Sequence, residues 1–219
     1  MARLVFEKTG NAVWISHLDL MRLFQRAFKR AGLPLKHTQG YNPRPSVSIA
    51  LPLSVGVESR CELLDFEIEG ELPSMEEIRA KLNAALVSGV KVLNVYHGGK
   101  KLRELTFLGC EVKLEFDCGA GEHTVKEIQA LFSAKELLVS KKSKNGPVEQ
   151  DIIPMIKHLD VSLQDSNTVV INAMICCQNP SMNPMQIAGA VERYLPGCKP
   201  DHAQCSRLEI YDAQKSIFR

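Results

Sequence analysis

Apolar residues recur with two different periods along the 219-residue chain. In the stretch "HLDLMRLFQRAFKRA", Leu20, Phe24, Ala27 and Ala31 stand four, three and four apart, with Met21 and Phe28 beside them. That spacing lays an apolar stripe along one side of a helix. Ser16 reads as its N-cap with Asp19 at the third helical position, Gly32 ends it, and Pro34 keeps it from resuming. Elsewhere the period is two: Val47, Ile49 and Leu51 alternate with small residues, and Leu64, Phe66 and Ile68 alternate with Asp65, Glu67 and Glu69. Both stretches predict strands with one buried face. "ARLVFEKTG" predicts a strand ahead of the helix, and "NAVWIS" reads as its continuation, either a partner strand or an extended lead-in. "SMEEIRAKLNAAL" predicts a second helix, capped by Ser74 with Glu77 at the third position and turning Met75, Ile78, Leu82 and Ala85 inward; "VKVLNVYHGG" follows as a strand.

The resulting order, β-α-β-β-α-β, is that of a split βαβ, ferredoxin-like unit. "HGGKKLRE", with two glycines and then three cations, marks a boundary, after which the pattern restarts. Leu108, Cys110, Val112, Leu114 and Phe116 alternate along a strand; "HTVKEIQALFS" is helical; "ELLVSKKS" is a strand running into the basic turn "KKSKNGP". "LDVSLQDSNTVVINAMICC" reads as a hairpin across Asp165, Ser166 and Asn167. Asn183, Pro184 and Gln186 predict a helix start by cap, first-turn proline and third-position amide, and "SRLEIYD" closes the chain as a strand. The prediction is an α+β protein of two tandem ferredoxin-like (βαββαβ) units with antiparallel sheets, residues 1–98 and 104–219, the second carrying an added element.

Composition narrows the class. Apolar residues make up 45% and charged residues 24%, ordinary globular values. No run of about eighteen apolar residues is present, so no membrane-spanning helix is expected, and the start "MARLVFEKTGNAVW" lacks the apolar core of a secretory signal. A cytoplasmic location with no membrane partner is the expectation. The seven cysteines form no CxxC pair and sit largely within strand patterns, which predicts reduced thiols. Cys198, His202 and Cys205 have spacings a zinc ion accepts, but without paired knuckles buried thiols are the plainer reading, and no metal or cofactor is predicted.

Charge is distributed unevenly. Between Arg22 and Val57 lie six cations and no carboxylate, so this window carries +6 against a whole-chain value of +2 and the remainder is net −4. Arg22, Arg26, Lys29 and Arg30 fall on adjoining lines of the first helix, opposite its apolar stripe. The chain then runs through Lys36 and His37 into "GYNPRP". Gly40 permits a positive φ and a sharp turn before Tyr41, while Asn42 and Arg44 each precede a proline and are biased toward extended backbone. Cations spaced to meet successive phosphates, beside an aromatic ring that can stack and an amide that can reach a base edge, point to RNA. A solvated helix face, with a proline-rich loop whose tyrosine packs on the core, is the bland alternative.

"SHLDLMRLFQRAFKRAGLP", "GYNPRP", "LPLSVGVES", "CELLDFEI" and the late "SRLEIYD" resemble a bacterial family of radical-SAM-associated proteins. Members of that family are encoded beside, or fused behind, a radical SAM protein and carry a domain of unknown function. The resemblance covers most of the chain and is densest from Ser16 to Ile68. It implies a radical SAM partner and brings no catalytic residues. The chain has no CxxxCxxC cluster, so it is not expected to be the radical enzyme itself. The expected function is that of an accessory protein without catalysis of its own, presenting tRNA or rRNA for modification. Arg22, Arg26, Lys29, Arg30, Lys36 and Arg44 would contact phosphate and Tyr41 and Asn42 the bases, with His37 among the RNA-binding residues beside them; no DNA is expected. Two alternatives stand beside it. One is a metal-independent RNA endonuclease using His17 or His37, although His17 and Asp19 lie about 200° apart on the helix and make no ready dyad. The other is a protein-interaction module for the radical SAM partner or the ribosome.

Overall fold

A computed structural model of the chain describes residues 1–143 and 146–219. The architecture is α+β, with antiparallel strand pairs and four α-helices among the described residues. The chain divides into two compact units, Met1–Leu102 with Arg219, and Arg103–Phe218.

The first unit runs β1 (Ala2–Lys8), α1 (His17–Arg30), β2 (Val47–Ile49), β3 (Glu58–Phe66), α2 (Met75–Ala85) and β4 (Val90–His97). Its strands lie in the order β4-β1-β3-β2. Register is set where Leu4 stands opposite both Leu64 and Val95, and Val47 opposite Phe66. The stripe of α1 lies in this unit's core: Leu20, Phe24, Ala27 and Phe28 are buried together with Leu4, Phe6, Leu64 and Phe66. Phe6 meets Phe24 edge-on at 4.7 Å between ring centroids, and Phe28 meets Phe66 at 4.9 Å. Each fully buried phenylalanine stabilises the fold by about 1.5–3 kcal/mol, and these four rings fix the rotation of α1. Ile78 and Leu82 of α2 complete the core, and the Asn83 amide exchanges two hydrogen bonds with the Val92 backbone, at 2.9 and 2.8 Å.

"NAVWIS" departs from the extended reading. Gly10–Trp14 is a 3-10 turn. The cause lies at the end of β1: Lys8 is fully buried, and its ammonium donates to the Val13 carbonyl at 3.0 Å, which folds the turn back over β1. Thr9 is held to the Gly89 carbonyl at 2.8 Å, so close that a Cβ at Gly89 would stand 2.4 Å from the Thr9 oxygen.

The second unit runs β5 (Leu105–Glu115), α3 (Glu122–Phe132), β6 (Leu138–Ser143), β7 (Gly146–Asp151), β8 (Ile156–Leu163), β9 (Thr168–Cys176), α4 (Met185–Tyr194) and β10 (His202–Asp212). Four strands lie in the order β10-β5-β9-β8, while β6 and β7 form a separate two-stranded ribbon. The expected alternation along β5 holds, since Leu108, Cys110, Val112 and Leu114 are buried, as is Phe116 just past its end. The β8–β9 connection is turned by Asp165, whose carboxylate accepts from the Asn167 backbone at 2.8 Å. At the start of α4 the Asn183 side chain accepts from the Met185 backbone at 3.0 Å and the Gln186 side chain accepts from the Asn183 backbone at 2.9 Å. Lys144 and Asn145, the centre of the expected basic turn, lie outside the described residues. No helix among the described residues is long and apolar enough to cross a membrane.

Candidate functional site

With its apolar stripe locked inward, α1 presents Arg22, Arg26, Lys29 and Arg30 outward, and all four are exposed. The helix begins as its sequence implies: the Ser16 hydroxyl accepts from the Asp19 backbone at 3.2 Å and donates to the Asp19 carboxylate at 2.7 Å. Two grooves flank the basic face. One, of about 420 Å³, is lined by Arg22, Arg26 and Arg30 with Asp19, Leu23 and Val87. The other, of about 560 Å³, is lined on the helix side by Arg26, Phe28 and Lys29 and on the facing side by Leu35, His37 and Pro45. Arg26 borders both.

The segment after α1 is not one open extended stretch. Leu35 bridges Ile68, and His37 bridges Pro45. The Thr38 backbone donates to the Arg44 carbonyl at 2.8 Å, the Arg44 backbone donates to the Thr38 hydroxyl at 3.0 Å, and the Ser46 backbone donates to the Lys36 carbonyl at 2.7 Å. Residues 36–38 and 44–46 therefore pair with each other, and 39–43 form the tip. Gly40 sits at φ +139°, a conformation that favours glycine and turns the tip as its position implies. Tyr41 is 101% exposed, which rules out the reading in which its ring packs on the core. Lys36, His37, Asn42 and Arg44 are exposed as well. A paired stem presenting a bare ring loses less conformational freedom on binding than an unpaired loop would.

The fold brings acid to a window that contains none in sequence. Asp19 pairs with Arg22 at 2.9 Å, and the Ser16 hydroxyl and then Arg22 hold the Asp19 carboxyl below the usual carboxylate range. Glu69 lines the larger groove beside Pro34, to whose carbonyl its backbone donates at 2.8 Å. Arg30 donates to the Ala85 carbonyl at the end of α2, at 2.5 Å, and so ties the two helices together. Among the described residues the side chains of Arg26, Lys29, Lys36 and Arg44 have no ion pair. These four are the cations most available to an anionic ligand.

The two histidines of the nuclease alternative occupy different settings. His37 lines the larger groove, whereas His17 opens α1 with its Nδ1 buried and without a hydrogen-bond partner. Cys198, His202 and Cys205 do not form a metal-binding set: on β10 residues 202 and 205 point to opposite faces, His202 exposed and Cys205 buried. No group of three His, Cys, Asp or Glu side chains among the described residues is placed to hold a metal ion. Two residues carry no clear signal in the sequence, Glu69 in the larger groove and Trp14 at the end of the 3-10 turn. Glu69 reads only as the polar partner of Ile68, and Trp14, 70% exposed, falls in a stretch that reads as strand. Its indole lies over the backbone at Gly56, next to exposed Val55.

Residues 2–184 match the model of a family described as "Uncharacterized protein conserved in bacteria (DUF2344)". No curated protein matches the chain. Among solved structures, a chain of "Crystal Structure of a Cbf5-Nop10-Gar1 Complex" is similar over 95% of this chain, at 9% identity and a TM-score of 0.52, a likeness of fold alone; this chain spans 48% of its length. A second, "Crystal Structure of an Unknown Protein from Galdieria sulphuraria", aligns over 94% of this chain and 96% of its own at 9% identity and a TM-score of 0.27.

Proposed function

The chain belongs to this family of uncharacterized bacterial proteins, and we propose that it is a cytoplasmic accessory RNA-binding protein acting with a radical SAM enzyme. It holds single-stranded tRNA or rRNA on the first unit while the partner carries the chemistry. The observation that carries this reading is the larger groove, in which Arg26 and Lys29 of α1 face His37 and Pro45 at the base of the Tyr41 stem. Cations and the foot of a ring-bearing hairpin thus border one cleft. Phosphates meet Arg26, Lys29, Lys36 and Arg44, with Arg22 and Arg30 behind them; a base stacks on Tyr41 and Asn42 offers its amide to a base edge. In the same reading each unit is ferredoxin-like. Both have their strands in the fourth-first-third-second order of a split βαβ unit, once the β6–β7 ribbon is set aside as an insertion.

The test is ultraviolet crosslinking of the tagged protein in cells, with sequencing of bound RNA and identification of co-purifying proteins. Enrichment of one RNA class together with a radical SAM protein is expected, and an empty RNA fraction refutes the reading. One observation favours a pure protein-interaction module instead: Trp14, Leu18 and Val55 are exposed at 70%, 66% and 53%. A partner complex that survives high salt, with no RNA bound, would select that alternative.

A further inference from the structure

We infer that the larger groove is a pocket for one unstacked base of the bound RNA, and that it selects guanine. The inference rests on the RNA-binding reading and adds to it a subsite and a specificity. A groove of about 560 Å³ is within the range of small-ligand sites, about 300–1,000 Å³, and has room for a base with its sugar. Its floor and walls are apolar where a base ring would lie: Phe28, Leu33 and Leu35 are buried beneath it, and Pro34 and Pro45 stand at its sides. Its rim is charged with both signs. Arg26 and Lys29 belong to the helix side, where a phosphate would sit, and Glu69 is the sole carboxylate among the groove-lining residues.

Glu69 is fixed in place by its backbone. The Leu35–Ile68 bridge and the Glu69-to-Pro34 hydrogen bond hold it against the proline wall. An ionised carboxylate offers two acceptor oxygens and no donor. Guanine alone presents two adjacent donors, N1–H and N2–H, on its Watson–Crick edge. Adenine, cytosine and uracil each place an acceptor there, which would face the carboxylate unfavourably. Tyr41 is sequence-tolerant because every base has a stacking face; the groove supplies the discrimination that stacking lacks.

Fluorescence anisotropy with labelled single-stranded hexanucleotides tests this: UUGUUU, UUAUUU, UUCUUU and the all-uridine oligomer, against the full chain and Glu69→Gln. Glu69 is exposed, so the substitution leaves the core intact. The expected result is that the guanine oligomer binds about tenfold more tightly than the other three, the ordinary discrimination of a good bidentate contact. In Glu69→Gln the preference should shrink toward one, while uridine binding holds or tightens slightly with the loss of a negative charge. Equal affinity for all four oligomers, or a guanine preference that survives Glu69→Gln, overturns the pocket and leaves RNA binding standing. Failure of every oligomer to bind overturns both.

Discussion

If the basic face holds RNA as proposed, the number of its cations without an ion pair sets the salt dependence of that binding. Arg22 is engaged by Asp19 and Arg30 by the Ala85 carbonyl, which leaves Arg26, Lys29, Lys36 and Arg44. Four phosphate contacts at about 0.7 each for a single strand give a slope of about −2.8 in log affinity against log salt, so affinity falls about fiftyfold between about 50 and 200 mM. The perturbation is the double substitution Arg26→Ala and Lys29→Ala. Both positions are exposed and helical, and alanine is the best helix former, so the fold should be undisturbed. Two contacts remain, the slope drops to about −1.4, and the fall over the same range shrinks to about sevenfold. The assay is anisotropy of a labelled uridine oligomer across a salt series, with Arg22→Ala as the comparison because that side chain already has a partner. A double variant whose slope equals the parent's, or an Arg22→Ala line flattened as much as the double variant's, would refute the assignment of these cations to phosphate.

Tyr41→Ala should weaken single-strand binding about tenfold, within the range for loss of one base–aromatic stack, and leave the melting temperature unchanged because the ring is wholly exposed; a lowered melting temperature would show the ring to be structural. Asp65→Ala removes the buried carboxylate to which the Arg3 guanidinium donates through two nitrogens, the Lys100 carbonyl being a further acceptor. Urea unfolding should report a loss of about 3–5 kcal/mol, and a loss below about 1 kcal/mol would contradict the buried pair. Burial pushes the Cys177 and Cys205 thiols up to about 12, and Cys110 higher still. At about pH 8 a thiol reagent should therefore label exposed Cys118 at once and these three only after denaturation. Because the unfolded chain loses such protons first, these thiols contribute stability that is intact below the ordinary thiol range and lost as pH rises from there toward 12; unfolding curves that do not shift over that range would contradict the burial.

Local signals were legible along the chain because they are written in neighbouring residues. The α1 stripe, the Ser16 and Ser74 caps, the Asn183–Gln186 exchange and the β5 alternation each involve residues a few positions apart, and the structure contains them all. The cationic line of α1 follows from the same periodicity, since a stripe buried on one side leaves the opposite side wet. "NAVWIS" was misread because one buried ammonium, Lys8, outweighed the local pattern by requiring a nearby carbonyl.

What the chain could not state locally is which groups meet across distance. Arg30 and Ala85 are 55 residues apart, Glu69 reaches the groove because the chain just past β3 pairs with Pro34 and Leu35, and the Tyr41 hairpin closes through bonds between residues 36–38 and 44–46, one of them to the Thr38 hydroxyl, around a tip turned by Gly40. Sequence by itself determined which side of each element faces water. Only the packed fold decided which of the water-facing charges were left without a partner, because electrostatic partnership depends on proximity in space and not on position in the chain.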